Sequence, residues 1–362
     1  MAQIHTFSLP EYPVFVGDLA ETFPIWLHER QFSRLVVLAD AHTRALCLPV
    51  FLQKTGLPTD LLIVEIPAGE QHKNLATCAQ IWQSFLAEKL DRRALVLNLG
   101  GGVVGDMGGF CAATFKRGVA FAQIPTTLLA MTDAAIGGKL GIDFQGVKNI
   151  VGVFQNPAAV FCDPDFLPTL PVRELRSGMA EVLKHAAIGD PVLWRQLSKL
   201  SDLNAADWSR ILPKSIAVKV RVVRRDPLEK NLRQLLNFGH TIGHALESHF
   251  LETADPLTHG EAVAIGMICE QFLADPAAAA RLADVVLRFF GHRPLPESDL
   301  PVLWDLMQQD KKNTAGAVRV ALPSDGKLGL QILEPSRASV AESLRFYNAL
   351  AAAVGKNFRH GA

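Results

Sequence analysis

Ala94-Leu-Val-Leu-Asn-Leu-Gly-Gly-Gly-Val-Val-Gly-Asp106 is the stretch on which the fold class turns. Residues 94–99 are apolar apart from Asn98 and show no alternation. A short apolar run closed by turn residues reads as a strand buried on both faces. Gly100, Gly102 and Gly105 then satisfy G-x-G-x-x-G, a tight turn into a helix whose first N–H groups suit a pyrophosphate. Alone, that motif is equally a plain glycine-rich turn. Outward from it, residues 35–39, 61–66, 121–124 and 159–161 repeat the buried-strand pattern, and helical periodicity such as that of residues 75–89 lies between several of them. Strand–helix alternation predicts a mostly parallel sheet covered by helices. The glycine motif follows the third strand rather than the first, so the prediction is a Rossmann-like α/β domain without the standard topology. Asp40, at the end of a strand, is either a contact for a ribose hydroxyl or a helix cap.

Past Pro171 the pattern turns helical, over residues 174–188, 212–224, 232–247, 261–273 and 277–290. The expected organisation is residues 1–170 as a nucleotide-binding α/β domain and 171–362 as an all-α domain. Within the second, at about 100° per residue, Arg233, Asn237, His240 and His244 fall at roughly 0°, 40°, 340° and 20°, one stripe of a single helix. Gly239 and Gly243 clear space beside both histidines for a ligand or a second helix. His259 follows ahead of another apolar run. Neutral imidazoles suit Zn²⁺, and catalytic zinc takes three protein ligands with one position open; buried structural histidines fit the same pattern. Glu181 and Lys184, one turn apart, are an intrahelical ion pair or a metal-binding carboxylate beside an anion-binding lysine.

The composition excludes several functions. The 362 residues are 49% hydrophobic and 20% charged with zero formal net charge, which offers no bulk attraction to nucleic acid or an anionic membrane. No apolar run approaches the ~18 residues of a membrane span, and residues 1–10 lack the pattern of a signal peptide. Cys47, Cys78, Cys111, Cys162 and Cys269 are scattered without a C-x-x-C, which points to free thiols and a cytoplasmic protein. Lysines on glycine-flanked loops, at Lys73 and again at Lys139 and Lys148, suit an anionic ligand.

The motifs GGGVVGD (100–106), IPTTLL (124–129), DAAIGGK (133–139), GVKN (146–149), MAEVLKH (179–185), LRQLLNFGHTIGHALE (232–247) and HGEAVAIGM (259–267) together resemble the 3-dehydroquinate synthase family, over about residues 68–320. The resemblance implies an NAD-binding α/β domain followed by a helical metal domain. It implies conversion of 3-deoxy-D-arabino-heptulosonate 7-phosphate to 3-dehydroquinate and phosphate, in the shikimate pathway, by transient oxidation, phosphate elimination, re-reduction and aldol closure. It makes Glu181, His240 and His259 the ligands of Zn²⁺ (or Co²⁺), with His244 a hydrogen-bonding neighbour. Lys139, Lys148, Asn149, Lys184, Lys219, Arg233 and Asn237 would hold the substrate, joined by a lysine of Asp310-Lys311-Lys312, Lys311 rather than Lys312 by preference, and, across a homodimer interface, by Arg117. NAD would contact Glu70, Lys73, Gly102, Val103, Val104, Gly105, Asp106, Thr126, Thr127, Asp133, Lys139, Lys148, Phe166, Leu167, Pro168 and Thr169. Leu140 and Asp143 stand where family members often have Thr and Asn. The competing readings are another sugar phosphate cyclase, a metal-dependent alcohol or glycerol dehydrogenase, and a non-catalytic protein that keeps the fold.

Overall fold

The structure, a computed structural model, describes residues 3–251, 253–309, 317–324 and 328–351. In chain order it runs β1 (His5–Ser8), β2 (Pro13–Val16), α1 (Leu19–His28), β3 (Leu35–Asp40), α2 (Ala41–Leu46), α3 (Leu48–Thr55) and β4 (Leu62–Ile66). Next come α4 (Leu75–Ala87), β5 (Leu95–Gly100), α5 (Gly102–Thr114), β6 (Ala120–Pro125), β7 (Lys139–Phe144), β8 (Val147–Phe154) and β9 (Ala159–Cys162). The remainder is α6 (Val172–Gly189), α7 (Pro191–Leu197), α8 (Trp208–Arg225), α9 (His240–Phe250), α10 (His259–Ala274), α11 (Pro276–Phe290), α12 (Leu300–Gln308), β10 (Val320–Ser324), β11 (Gly329–Leu333) and α13 (Arg337–Ala349).

The described residues divide into two compact units, Met1–Leu175 with Asp207–Arg224, and Arg176–Ala206 with Arg225–Ala362. The sequence pattern placed one boundary near residue 170. The division instead falls within α6, and almost all of α8 goes with the first unit, where Lys219 of that helix pairs with Asp133. A helical pattern records a buried face but not which unit buries it.

In the first unit the strand order is β1-β2-β9-β6-β5-β3-β4, with β1 antiparallel to β2 and the other pairings parallel. The five buried strands read from the sequence are β3, β4, β5, β6 and β9. Every residue of β5 is buried, which is why its sequence does not alternate. From β3 the chain steps outward to β4, then returns to the opposite side of β3 to form β5. That reversal opens a crevice at the carboxyl ends of β3 and β5, where open α/β sheets bind ligands. The glycine motif ends β5 there. Val36, Leu38, Val96 and Phe121 of the sheet pack with Ile81 and Phe85 of α4 and Met107 and Cys111 of α5. Lys139 and Lys148, read as loop lysines, lie on the antiparallel hairpin β7–β8. Its strand signal, Val147, Ile150, Val151 and Val153, is dispersed among glycines and lysines.

The second unit is rich in helices, as read, with one departure from an all-α pattern, the antiparallel ribbon of β10 and β11. Helix α10 is its centre. Residues 262–270 are all buried, the mark of a helix enclosed on every side.

Candidate active site

In the second unit the family motifs converge on three side chains. Glu181 lies on α6 and is wholly buried, His240 opens α9 and His259 opens α10. Glu181 Oε1 is 3.7 Å from His240 Nε2 and 3.9 Å from His259 Nε2, and one ligand atom from each residue falls within 4.8 Å of the others. The opposite ring nitrogens are engaged elsewhere. His240 Nδ1 lies 3.3 Å from the Phe238 carbonyl, and His259 Nδ1 lies 3.0 Å from Glu247 Oε2. A carbonyl or carboxylate at Nδ1 selects the tautomer that leaves Nε2 free to ligate. Neither Glu181 oxygen accepts a well-formed hydrogen bond among the described residues, although the Lys184 ammonium is in ion-pair contact with it. A buried carboxylate with open lone pairs beside two aimed imidazoles fits a divalent cation. Burial lowers the His259 pKa, but Glu247 and Glu181 more than offset this and hold it above the ordinary histidine value. His244 completes the imidazole cluster, with ring centroids 5.1 Å from His240 and 5.9 Å from His259.

The backbone around these residues explains the glycines. The expected single helix over 232–247 is interrupted: Leu232–Asn237 is a 3₁₀ turn, Phe238 leaves the helical region, and Gly239 has φ +82° before α9 begins. Arg233 and Asn237 therefore do not continue the helix of His240 and His244, which corrects the single-stripe reading. Positive φ suits glycine, and here the residue also lies on α10, because a Cβ would stand 2.5 Å from Met267 Cγ. The spacing pattern registered the periodicity but not the break at Gly239. At the start of α10, Gly260 N donates to Ser177 Oγ at 3.0 Å, one turn before Glu181 on α6, which ties two of the three candidate ligands together.

Asp226 organises the approach to Arg233 and Asn237. It accepts the N–H groups of Lys230, Asn231 and Arg233 at 3.0, 2.7 and 3.0 Å. Arg233, buried, donates to the Pro227 carbonyl at 2.5 Å, and Asn237 donates to Glu229 at 2.7 Å. Burial raises the Asp226 pKa, but the three N–H groups and Arg233 outweigh it and hold the carboxyl below its usual range. Its stabilising contribution is therefore present above the unfolded carboxyl value of about 4 and is lost as pH falls through the lowered folded value. Asp226→Asn is expected to lower Tm by a few degrees at pH 7, and the gap to the parent should close on acidification below about pH 4. A gap that persists undiminished at pH 3 would contradict this role. Asp226, Glu229, Glu247 and Ser177 were not singled out from sequence; an Asp-Pro turn signal marks the first, and Glu247 closes a motif already quoted.

In the first unit, Gly101 caps α5, and Gly102, Val103, Val104, Gly105 and Asp106 form its first turn. Gly100, Gly101, Gly102, Gly105 and Asp106 line a small cleft with Pro125, Ala130 and Ala134. Val104 is buried in the core and Val103 packs against it, so their backbone is what the loop presents. Lys73 is buried and its Nζ reaches Asp106 at 2.7 Å and Asn149 Oδ1 at 2.6 Å, with Glu70 at 3.8 Å. Burial works against the Lys73 ammonium, but Asp106, Glu70 and Asp143 raise its pKa; burial also raises Asp106, beyond what Lys73 offsets. Asp143 accepts from the Asn149 N–H at 2.7 Å and supports that residue's φ of +51°.

Thr126 follows β6, with its N–H on the Gly100 carbonyl at 3.0 Å, and Thr127 accepts from Ala130 at 3.1 Å. Asp133 lies in a π-helical turn and pairs with Lys219 at 2.5 Å. Lys139 and Lys148 are on β7 and β8. Phe166 and Leu167 are buried, so this part of the expected cofactor segment offers only backbone; Pro168 and Thr169 are more accessible. Asp40 caps α2 in a capping box with Thr43, the second of its two readings. Arg117 is exposed on the turn after α5, at φ +64°. Lys311 lies outside the described residues.

Residues 63–177 match the family model described as 3-dehydroquinate synthase N-terminal, and residues 178–313 the model described as 3-dehydroquinate synthase C-terminal. The 3-dehydroquinate synthase of Parabacteroides distasonis is 37% identical over 345 residues, 92% of this chain and 97% of its own length. That of Bacillus cereus (strain G9842) is 41% identical over 325 residues, 86% of this chain and 89% of its own. Among solved structures, 2-epi-5-epi-valiolone synthase from Streptomyces hygroscopicus subsp. jinggangensis 5008, with NAD⁺ and Zn²⁺ bound, aligns with a TM-score of 0.78 at 26% identity, covering 96% of this chain and 99% of that one.

Proposed function

The chain belongs to the 3-dehydroquinate synthase family, and from that premise we propose that it converts 3-deoxy-D-arabino-heptulosonate 7-phosphate to 3-dehydroquinate and phosphate, as an NAD- and metal-dependent carbon–oxygen lyase. The observation that carries the metal half is the aim of His240 Nε2 and His259 Nε2 at Glu181, with both Nδ1 atoms held elsewhere. These three residues hold Zn²⁺ or Co²⁺. The observation behind the dinucleotide half is the glycine cleft at the N-terminus of α5, at the reversal point of the sheet. When bound, NAD⁺ supplies a reversible hydride acceptor and the metal a Lewis-acidic contact for a substrate oxygen.

The remaining work is done by the chain's own groups. The backbone of Gly102–Asp106, with Thr126, Thr127, the accessible part of residues 166–169 and the Glu70–Lys73 turn, orients the dinucleotide. Lys73 holds Asp106 and Asn149 in place, which joins the glycine loop to the β8 strand that carries Lys148. The family's motifs assign the carboxylate, hydroxyls and phosphate of a polyanionic sugar acid to Lys139, Lys148, Asn149, Lys184, Lys219, Arg233 and Asn237, with Arg117 and Lys311 or Lys312 in the same set. Lys184 and Lys219 are both ion-paired, with Glu181 and Asp133. These partners are candidate site residues rather than surface carboxylates. His244, beside two imidazoles, is placed to hold or pass a proton to a bound hydroxyl.

The test is phosphate release from the heptulosonate phosphate with sub-stoichiometric NAD⁺. Phosphate is expected far in excess of NAD⁺, with no lasting NADH absorbance. Release that stops at one equivalent, or NADH rising with product, identifies a dehydrogenase instead.

A homodimer belongs to the same reading. Phe144, Val147, Ile150, Val151 and Phe154 are exposed on β7–β8, an apolar surface of the kind that protein–protein contacts cover. Sedimentation is expected to return twice the 39.4 kDa mass of the chain; a monomer at micromolar concentration would remove this element. Five buried free cysteines accord with a cytoplasmic setting, and among the described residues no helix is long and apolar enough to cross a membrane.

A further inference from the structure

Glu270 is a wholly buried carboxylate that the chemistry above does not employ. It lies on α10, the helix that begins with His259, and its oxygens reach across to α9. Oε2 accepts from Gly239 N at 2.6 Å and Oε1 from Ile242 N at 2.9 Å. The first N–H groups of a helix have no partner within it, and a carboxylate at that end also meets the positive pole of the helix dipole. The N-cap residue of α9 is Gly239, which makes no side-chain cap. The contact is close on both sides: a Cβ on Gly239 would lie 2.8 Å from the Val263 carbonyl, and one on Gly266 would lie 2.0 Å from the Gly239 carbonyl. A capping side chain at position 239 has no space, so the cap comes from α10.

The two amides that Glu270 clamps lie on either side of His240 in the sequence. His240 Nδ1 is oriented by the Phe238 carbonyl, in the same short segment. A slide of residues 238–242 along α10 would carry the His240 ring with it and change its distance from His259 at the start of α10. We propose that Glu270 is a positioning residue of the metal site, setting the start of α9 against α10 and through it the separation of the two ligating Nε2 atoms. This rests on the assignment of Glu181, His240 and His259 as metal ligands. Groups that orient a ligating residue typically contribute about 10- to 100-fold in metal affinity. A cap with no positioning role would contribute to folding stability and leave affinity unaltered.

Three full-length variants separate the possibilities. Glu270→Gln keeps the shape but turns an amide donor toward one of the two N–H groups. Glu270→Asp keeps the charge but withdraws it by one methylene, and serves if the first variant does not fold. Val286→Ala, a buried truncation on α11, controls for loss of stability alone. Zn²⁺ affinity is measured by competition with a chromophoric chelator, and ligand geometry by the visible spectrum of the Co²⁺ form, at a temperature where each variant is folded. The Glu270 variants are expected to bind one Zn²⁺ per chain about 10- to 100-fold more weakly, with an altered Co²⁺ spectrum, while Val286→Ala binds as the parent does. Parent-like affinity and spectrum in the Glu270 variants, with only Tm lowered, overturn the positioning role. A parent that holds no stoichiometric metal overturns the metal assignment itself, and this inference with it.

Discussion

His259→Ala is expected to lower kcat/KM by at least about 10²–10³-fold and to remove tightly held metal. The reasoning is geometric. One carboxylate and two imidazoles present converging ligand atoms, and removal of one imidazole leaves two, too few for a structural or catalytic zinc site. The effect should exceed the about 10- to 100-fold characteristic of groups that only orient a ligand. His259 is the clean position for the test because its side chain is 26% exposed, so truncation opens space toward solvent rather than a sealed cavity. The metal-free variant loses the Glu247 contact, so its Tm should fall only modestly below that of the metal-free parent. Metal content by elemental analysis and the rate of phosphate release are measured together. Unchanged occupancy with unchanged turnover would dismiss the ligand assignment, and lost turnover with full occupancy would make His259 a substrate contact.

Much of this could be read from the chain before its coordinates. Buried parallel strands announce themselves because neither face meets water, so residues 94–99 could be recognised without a partner, and the strand-to-glycine transition fixed where the sheet presents its ligand edge. The imidazole cluster was legible in part because His240 and His244, four apart, share a helix face; the ligand set Glu181, His240 and His259 came from the resemblance to the family. What was not legible depends on contacts distant in sequence. The helix containing Arg233 and Asn237 was read through Gly239 because periodicity is blind to one left-handed residue, and that residue is set by the approach of α10. The grouping of most of helix α8 with the first unit was not legible, because an amphipathic face does not name its partner. The β7–β8 hairpin was missed because its residues are mostly exposed and so lack the alternation that a half-buried strand imposes. Glu270 was missed for the same reason as Glu247: a carboxylate within a helical run reads as solvated until the amides or the imidazole it faces are known.

Lys184→Met is expected to have two separable effects, and their dependence on metal tests whether Glu181 and Lys184 form one electrostatic unit. Both side chains are fully buried and in ion-pair contact one turn apart on α6. Sequence alone left open whether this is a structural pair or a ligand beside an anion-binding lysine; burial makes the alternatives compatible. In the metal-free protein the ammonium is the counter-charge of a desolvated carboxylate, and removing one member of such a pair costs about 3–5 kcal/mol. A divalent cation on Glu181 supplies the missing positive charge, so Zn²⁺ should restore most of the lost Tm. Activity should not return with it. A lysine that meets an anionic substrate makes its contribution beyond Glu181, and kcat/KM of the Zn²⁺-loaded variant is expected to stay at least about 10²-fold below the parent. The experiment is a pair of melting curves, with and without Zn²⁺, beside kinetics on the loaded protein. If the loaded variant turns over like the parent, Lys184 is only the counter-ion of Glu181. If the metal-free variant melts with the metal-free parent while activity is lost, the carboxylate is not charged in the metal-free state, and the ion pair gives no account of why a lysine is buried there.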